Sequence, residues 1–426
     1  MKEDLLQYIW QFQYFNSKEL QTTSGEEIQI QFPGSLNTNQ GPDFTGAKIR
    51  IGGTLWAGNV ELHINSSHWN LHQHSSDANF NNIILHVVWM HDDEIPDASK
   101  NNLPTLELQS RVSKLLLNKY RELMDVAQFI PCENQVKEIN ELTLTSWKQR
   151  LLAERLVSKS ERVLAILNQT KFHWEETFWR IIAGSFGLTV NSGFFQKIAE
   201  SLPVLILAKH KNQVHHIEAL LFGQAGLLNA NFNEKYPVML QKEFRFYKKK
   251  YHLQLVDGEP FFLRMRPANF PSIRLAQLAI LIHESEHLFS KIKDAKYVSE
   301  VKKMLDVTAN DYWNYHYLFD EETGFKKKTL GSQMINNIII NTIVPVLFAY
   351  GIHHNHQHIK EKAISWLEEI SAEKNKITTG FERLNFSNKN AFDSQALIQL
   401  KNEYCNKKLC LHCAIGNSLL KRSVVS

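Results

Sequence analysis

The N-terminal part of the chain changes from a helical to a strand-like hydrophobic pattern. Residues 3–15 carry apolar side chains at helical spacing, which predicts a short amphipathic helix. Strand-like alternation or apolar runs follow at residues 27–32, 44–51, 59–64 and 83–89. The last run is nearly continuous, as is typical of a strand buried on both faces. A helix, three strands, a short connection and a fourth strand therefore predict a compact α/β unit.

The remainder of the chain has a mostly helical pattern. A helix is predicted over 110–126, and longer helical periodicity follows at 144–167, 174–198 and 273–292. Pro131 is the predicted boundary between an α/β domain at residues 1–130 and a mostly helical domain at residues 131–426. The most apolar stretch, 334–352, contains three asparagines and a proline, which favours a buried helix over a membrane span.

Composition and charge narrow the class of protein only a little. The chain has 426 residues, of which 43% are hydrophobic and 22% charged, as is ordinary for a soluble globular protein. Its net charge of +4 permits contact with a polyanion without requiring it. The start is acidic from Glu3, unlike a secretory signal. We expect a cytoplasmic protein that does not associate with membranes.

Two acidic residues fall on neighbouring predicted strands. Asp43 follows Pro42 at the start of one strand, and Glu61 lies in the next, two positions before His63. Because side chains along a strand alternate between faces, Glu61 and His63 share a face. Magnesium prefers a few carboxylates with water and substrate oxygens, and divalent cations commonly serve phosphodiester hydrolysis. The pattern predicts a magnesium or manganese site at Asp43 and Glu61, with His63 orienting water or phosphate.

The order of helix, strand, Pro42-Asp43 and Glu61-Leu62-His63 resembles the restriction-endonuclease-like nuclease superfamily. That superfamily is defined by a proline-aspartate, a spacer and an acid-x-lysine motif. The resemblance implies a restriction-endonuclease-like α/β fold in which Asp43 and Glu61 bind the metal. His63 stands where the motif has lysine, so the sequence departs from the pattern there. Some members place a glutamate on the first helix, for which Glu3 is the match.

Further polar residues follow in the same segment. His72, His74, Asp77 and His86 extend the candidate site if the fold brings them to it. Motifs along nearly the whole chain also resemble a bacterial family, the domain of unknown function 2851 family. They include Gly58-Asn59-Val60-Glu61-Leu62-His63, His72-Gln73-His74 and Cys410-Leu411-His412-Cys413. This second resemblance implies no established activity.

The cysteines are few and clustered. Cys405, Cys410 and Cys413 have ligand-like spacing near the C-terminal end, and Cys132 lies far upstream. In a cytoplasmic chain this favours metal or cluster ligation over a disulfide framework. Four thiolates would suit a structural zinc ion or an iron–sulfur cluster. His412 is an alternative fourth ligand, and three free thiols are the simpler interpretation.

One basic stretch is interleaved with aromatic residues. Between residues 242 and 252 it contains Arg245, Lys248, Lys249 and Lys250. Cations that meet phosphates and rings that stack on bases are typical of a nucleic-acid surface. A solvated helix face is the simpler interpretation of the same residues.

The sequence thus leads to three functional hypotheses. The first is a metal-dependent nuclease that acts on DNA or RNA through Asp43, Glu61 and His63. The second is a nuclease-fold module that lost catalysis and binds nucleic acid or protein. The third is a zinc-dependent hydrolase, which requires His63, His72 and His74 to converge.

Overall fold

The structure is a computed structural model that describes residues 1–38, 40–72, 77–96, 102–125 and 128–425. The chain forms two compact units, of which the first comprises residues 1–149 and 398–426 and the second residues 150–397. The first unit is an α/β structure with a mixed sheet, and the second is mostly helical, as predicted. The predicted boundary near Pro131 placed the C-terminal cysteines in the helical domain. In the structure they belong instead to the unit that contains the sheet.

The first unit is built on one mixed β-sheet. Its strands are β1 (Ile28–Phe32), β2 (Ser35–Leu36), β3 (Phe44–Ile51), β4 (Thr54–Asn65), β5 (Ile83–Met90) and β6 (Thr105–Glu107). They lie in the order β1-β3-β4-β5-β6, with β2 paired to β3. β3 is antiparallel to β1 and β4, whereas β4, β5 and β6 run parallel. The predicted alternation therefore identified β1, β3, β4 and β5, although β4 begins earlier than expected, whereas the short strands β2 and β6 were not predicted.

A β-bulge in β3 fixes which side chains face the core. The β3–β4 register shifts between Phe44 and Ala47, and both of these residues are fully buried although they are three apart. Gly46, inside the bulge, has φ +69°, a conformation that favours glycine. The bulge lets Phe44 enter the core together with Ala47, Ile49 and Ile51, and it thereby sets the position of the preceding residue, Asp43.

The helices of the first unit flank this sheet. They are α1 (Glu3–Gln11), α2 (His68–Leu71), α3 (Lys114–Asp125) and α18 (Ala414–Val425), with the beginning of α4 (Glu141–Gln169). α1 packs against β4 through a buried face. Its Tyr8 hydroxyl donates a hydrogen bond of 2.5 Å to the Asn417 side chain in α18.

The second unit is a helical assembly around one large apolar core. Its further helices are α5 (Trp174–Phe186), α6 (Leu188–Ser201), α7 (Val204–His210), α8 (Val214–Gln224), α9 (Lys235–Lys250), α10 (Pro271–Glu284), α11 (Leu288–Asp294), α12 (Val298–Met304), α13 (Ser332–Ile338), α14 (Val344–His353), α15 (Gln357–Glu369), α16 (Lys376–Arg383) and α17 (Ala391–Gln399). A short hairpin joins β7 (His316–Leu318) to β8 (Glu321–Glu322). A π-helical turn occupies Ile339–Ile343, and another, Leu400–Cys405, follows α17 in the first unit.

Two helices that the periodicity predicted as continuous are broken. The first breaks at Gly187, between α5 and α6, where a Cβ would lie 2.5 Å from the Asn191 carbonyl oxygen. The second breaks between α10 and α11, where His287 has φ +50°. Hydrophobic spacing continues across both turns, and this is why the pattern alone did not reveal them.

The most apolar helix lies inside the second unit. Residues Ser332–His353 are long and apolar enough to span a membrane by length and composition, but 72% of the apolar window is buried within the protein. The helix combines α13, a π-helical turn and α14. Its burial agrees with the prediction of a core helix.

Two helical glycines provide a test of how the helices of the second unit pack. Gly223 in α8 faces the Phe244 ring in α9, where an added Cβ would meet ring atoms at 2.2 Å. We expect Gly223→Ala to destabilise the protein by about 1–3 kcal/mol through overpacking. Gly193 in α6 has no such neighbour within 4 Å. Gly193→Ala should therefore gain roughly 0.5–1 kcal/mol of helix propensity. Urea unfolding measures both, and equal shifts of the two variants would contradict the packing of α8 on α9.

Candidate functional site

Asp43 and Glu61 are held together by hydrogen bonds that cross between their strands. The Asp43 amide donates to Glu61 Oε2 over 3.0 Å, and the Leu62 amide donates to Asp43 Oδ2 over 3.0 Å. Each carboxylate is thus fixed by the backbone beside the other. The β3–β4 register, in which Phe44 pairs with Val60, makes both contacts possible. The structure thus places these two acids side by side.

Helix α1 contributes to the same site from outside the sheet. Gln7 Nε2 donates a hydrogen bond of 2.8 Å to Asp43 Oδ1. Glu3 lies close enough to raise the pKa of both Asp43 and Glu61. Glu3 was expected from the sequence, whereas Gln7 was not. The sequence feature that could have identified Gln7 is its position one turn after Glu3, on the same helix face.

Burial makes ionisation of these carboxyls costly. Glu61 is only 6% exposed, and burial, followed by the Asp43 charge, raises its pKa from 4.5 to about 8. Burial also raises the pKa of Asp43 to about 6, against the opposing hydrogen bond from Leu62. Acids placed together in this way take up protons or a cation, since either removes the repulsion between them.

Three imidazoles form a chain next to Glu61. His63 Nε2 lies 3.9 Å from Glu61 Oε1, and the same ring makes hydrogen bonds to His86 Nε2 at 2.9 Å and to His72 Nδ1 at 3.2 Å. His63 and His86 are buried, whereas His72 is exposed. The chain therefore leads from the buried carboxylates to the protein surface. The sequence placed His63, His72 and His86 among the candidates, and His86 reaches His63 because β5 runs beside β4.

The other residues expected to extend the site are less informative. His74 lies outside the described residues. Asp77 is half-buried, and its Oδ1 accepts hydrogen bonds of 2.9 Å from the backbone and side chain of Asn79. These contacts support a local role for Asp77 at the start of a short 3-10 helix, Ala78–Phe80.

The carboxylate oxygens of Asp43 and Glu61 suit magnesium better than a metal that needs many protein ligands. Within the described ranges, no group of three or more His, Cys, Asp or Glu side chains is arranged to hold a metal ion. Magnesium, however, is commonly bound by one or two carboxylates and completes its shell with water and substrate oxygens. Asp43 and Glu61 satisfy that smaller requirement, because a carboxylate oxygen that accepts one hydrogen bond retains a lone pair.

The four cysteines lie together in the first unit. Cys132, Cys410 and Cys413 are buried and Cys405 is half-buried. Burial raises the pKa of the Cys405 thiol, and the nearby Cys413, Cys132 and Cys410 raise it further. The Gly416 and Ile415 amides, at the start of α18, donate hydrogen bonds to the Cys413 sulfur. His412 is exposed, so Cys132 is the better fourth member of this cysteine cluster.

The basic residues of α9 lie on the solvent side of that helix. Arg245, Lys249 and Lys250 are exposed and Lys248 is half-buried, while Phe246 between them is 60% exposed. The opposite face is buried through Pro237, Leu240, Phe244 and Tyr247. This arrangement is compatible with a nucleic-acid surface and with a solvated helix face.

Comparison with known proteins yields a family and no described activity. The family described as protein of unknown function (DUF2851) matches residues 3–376. That range includes the paired carboxylates, His63 and Cys132, and it ends before the three C-terminal cysteines. The chain matches no curated protein and no solved structure.

Replacing Glu61 by glutamine should change stability in a pH-dependent way. The pKa of Glu61 is raised in the folded state, so folding favours the protonated acid, and the ionised form loses stability as pH rises from 4.5 to about 8. Glutamine cannot ionise. We therefore expect metal-free Glu61→Gln to match the parent near pH 4 and to exceed it by several kcal/mol at pH 9, at about 1.4 kcal/mol per pKa unit.

Chemical denaturation at a series of pH values measures this difference. Glu27→Gln is the matched control, because Glu27 is an exposed acid beside β1 in the same unit. Its stability difference should not grow with pH. Millimolar magnesium should reduce the advantage of Glu61→Gln, since cation binding stabilises only the parent. A pH-independent difference would contradict the burial of the carboxylate pair.

Proposed function

The chain belongs to the family described as protein of unknown function (DUF2851), and we propose that it is a metal-dependent phosphodiester hydrolase acting on DNA or RNA. The observation that carries the proposal is the adjacent pair of half-buried Asp43 and buried Glu61. The Leu62 amide holds the Asp43 carboxylate, and the Asp43 amide holds the Glu61 carboxylate. Such a pair is costly to ionise alone and gains stability from a divalent cation.

The strand order supports a restriction-endonuclease-like fold as part of this proposal. α1 precedes an antiparallel arrangement of β1, β3 and β4, and β5 then returns parallel to β4. Asp43 immediately precedes β3, the strand next to the one that carries Glu61 and His63. This is the order of helix, aspartate strand and acid-x-histidine strand on which the resemblance to that superfamily rests.

Asp43 and Glu61 would hold magnesium or manganese. When bound, the cation polarises the phosphate and lowers the pKa of a water molecule. Glu3 adds negative charge near both ligands, and Gln7 fixes the orientation of Asp43 through its hydrogen bond. These residues keep the carboxylates in place before substrate arrives.

His63 takes the position of the motif's lysine with a different chemical role. Lysine acts as a cation, whereas neutral imidazole accepts a proton at one nitrogen. With Nδ1 donating to His86, His63 accepts the proton of the attacking water at Nε2. His72, which contacts the same nitrogen at 3.2 Å and is exposed, passes that proton to solvent.

A cleavage assay with single- and double-stranded DNA and RNA tests the proposal. We expect cleavage that depends on magnesium or manganese, and loss of cleavage to background in Asp43→Asn and Glu61→Gln. His63→Ala should lower the rate about 100-fold or more, as is typical when a general base is removed. Glu27→Gln, an exposed acid in the same unit, should leave the rate unchanged.

Other outcomes would support the competing hypotheses. Nucleic-acid binding without cation binding or cleavage would identify a module that kept the fold and lost catalysis. Cleavage that requires zinc and both His63 and His72 would identify a zinc-dependent hydrolase, for which the 3.2 Å separation of their nitrogens is favourable. An intact rate in both carboxylate variants would exclude these acids from the reaction.

We propose in addition that Cys132, Cys405, Cys410 and Cys413 rearrange to hold a structural zinc ion or iron–sulfur cluster, since these described side chains are neighbours but are not arranged as metal ligands. Buried thiols ionise only when a positive centre offsets the loss of hydration, and a metal supplies that charge. The amide donors at Cys413 also favour a thiolate there. Binding would join residues around Cys132 to the chain segment more than 270 residues later, as their sequence positions require.

Metal analysis of anaerobically purified protein tests this second site. We expect zinc or iron in the parent, with visible colour for an iron–sulfur cluster. Cys413→Ser should lose the metal and lower the melting temperature. Ser387→Ala, which leaves all four cysteines in place, is the control and should keep both the metal content and the melting temperature of the parent. Colourless parent protein that contains neither zinc nor iron would identify the four residues as free thiols.

A further inference from the structure

A row of positive charges follows one face of α4 within the second unit. Arg155, Lys159 and Arg162 are spaced four and three residues apart, and such positions are neighbours on a helix surface. Like charges at this spacing repel, and both arginines lower the pKa of Lys159. Their proximity therefore requires a compensating interaction.

The first two cations share one neutral oxygen. Arg155 Nε donates to Gln395 Oε1 over 2.6 Å, and Lys159 Nζ donates to the same oxygen over 3.2 Å. Lys159 also donates to Asn341 Oδ1 over 2.9 Å. The hydrogen bonds described for Lys159 thus end on side-chain amides, which offer partial rather than full negative charge. Gln395 itself is 3% exposed and anchored to Glu373 through Nε2.

The electrostatic balance at Lys159 favours an added anion. Burial lowers the pKa of Lys159 to about 7, Arg155 and Arg162 lower it too, and Glu373 opposes them. Two cations and one acid therefore act on half-buried Lys159, with Arg155 half-buried and Arg162 exposed beside it. Removing a cation from water is unfavourable, and an incoming anion would offset that loss for Lys159.

An irregular helix segment supplies a second and independent observation. Asn341 lies in the π-helical turn Ile339–Ile343, between α13 and α14. The four other residues of this turn are buried, while Asn341 is half-buried and reaches Lys159. π-helical turns inside α-helices are rare and occur frequently at functional sites.

We propose that Arg155, Lys159, Arg162, Asn341 and Gln395 form a binding site for a phosphate-type oxyanion. Guanidinium groups match the oxygens of a phosphate group, and an ammonium group adds a point charge. The amide groups of Asn341 and Gln395 complete the polar surroundings. The anion is either free phosphate or a phosphodiester group of a nucleic acid. The site lies within the second unit and does not depend on the proposed hydrolase activity.

Calorimetric titration of the full chain with inorganic phosphate tests the site. We expect binding by the parent and binding weakened about tenfold or more in Lys159→Met, because a charge-assisted hydrogen bond is lost. Lys159→Arg should retain most of the affinity. Lys197→Met is the matched control, since Lys197 is an exposed lysine on α6 of the same unit, and it should bind as the parent does.

A second titration with a short single-stranded oligonucleotide distinguishes the two sources. Oligonucleotide binding that competes with phosphate and weakens in Lys159→Met identifies a phosphodiester group as the ligand. Phosphate binding without oligonucleotide competition identifies free phosphate. Absence of both, or equal affinity in parent and Lys159→Met, overturns the proposal.

Chemical labelling covers the case in which Lys159→Met does not fold. An amine-reactive reagent applied to the parent protein modifies lysines at rates that mass spectrometry resolves. Phosphate should slow modification of Lys159 severalfold and leave Lys197 unaffected. Equal labelling of Lys159 with and without phosphate would reject the site without any substitution.

Discussion

The candidate site of the first unit depends on the pair of hydrogen bonds that cross between β3 and β4. Through them, the carboxylate of Asp43 is bound by the backbone after Glu61, and the carboxylate of Glu61 by the backbone of Asp43. A shift of the register by one residue would remove both contacts and turn Glu61 to the other face of the sheet. The bulge at Gly46 is therefore part of the site, because it fixes the register while Phe44 remains in the core.

The same geometry explains why Asp43 and Glu61 are unusually weak acids. Glu61 is buried and Asp43 half-buried, so water screens the two carboxyls less than it screens exposed acids and their mutual repulsion is stronger. The backbone amides lower this penalty but do not remove it, as the raised pKa values of Asp43 and Glu61 indicate. A protein with such a pair is less stable at neutral pH than it would be without the two carboxyls. That loss is understandable where the acids act on a ligand.

The sequence predicted the parts of this site that depend on local periodicity. Alternation along β4 was enough to place Glu61 and His63 on one face. Contacts that depend on which strands and helices are neighbours were not predictable in this way, and Gln7 and His86 are the examples. The cysteines show the same limit, since their spacing suggested a cluster while only the fold assigned it to the sheet-containing unit.

The two units carry opposite kinds of buried charge, and each kind selects a different ligand. In the proposed roles, the carboxylate pair binds a cation and the cluster around Lys159 binds an anion. In both, neutral hydrogen-bond partners orient the charged groups, through backbone amides at Asp43 and side-chain amides at Lys159. Such partners fix geometry without neutralising charge, so the charge remains available to a ligand. In phosphodiester hydrolysis a metal cation acts on a phosphate group. A proposed cation site and a proposed phosphate site in one protein are both consistent with that chemistry.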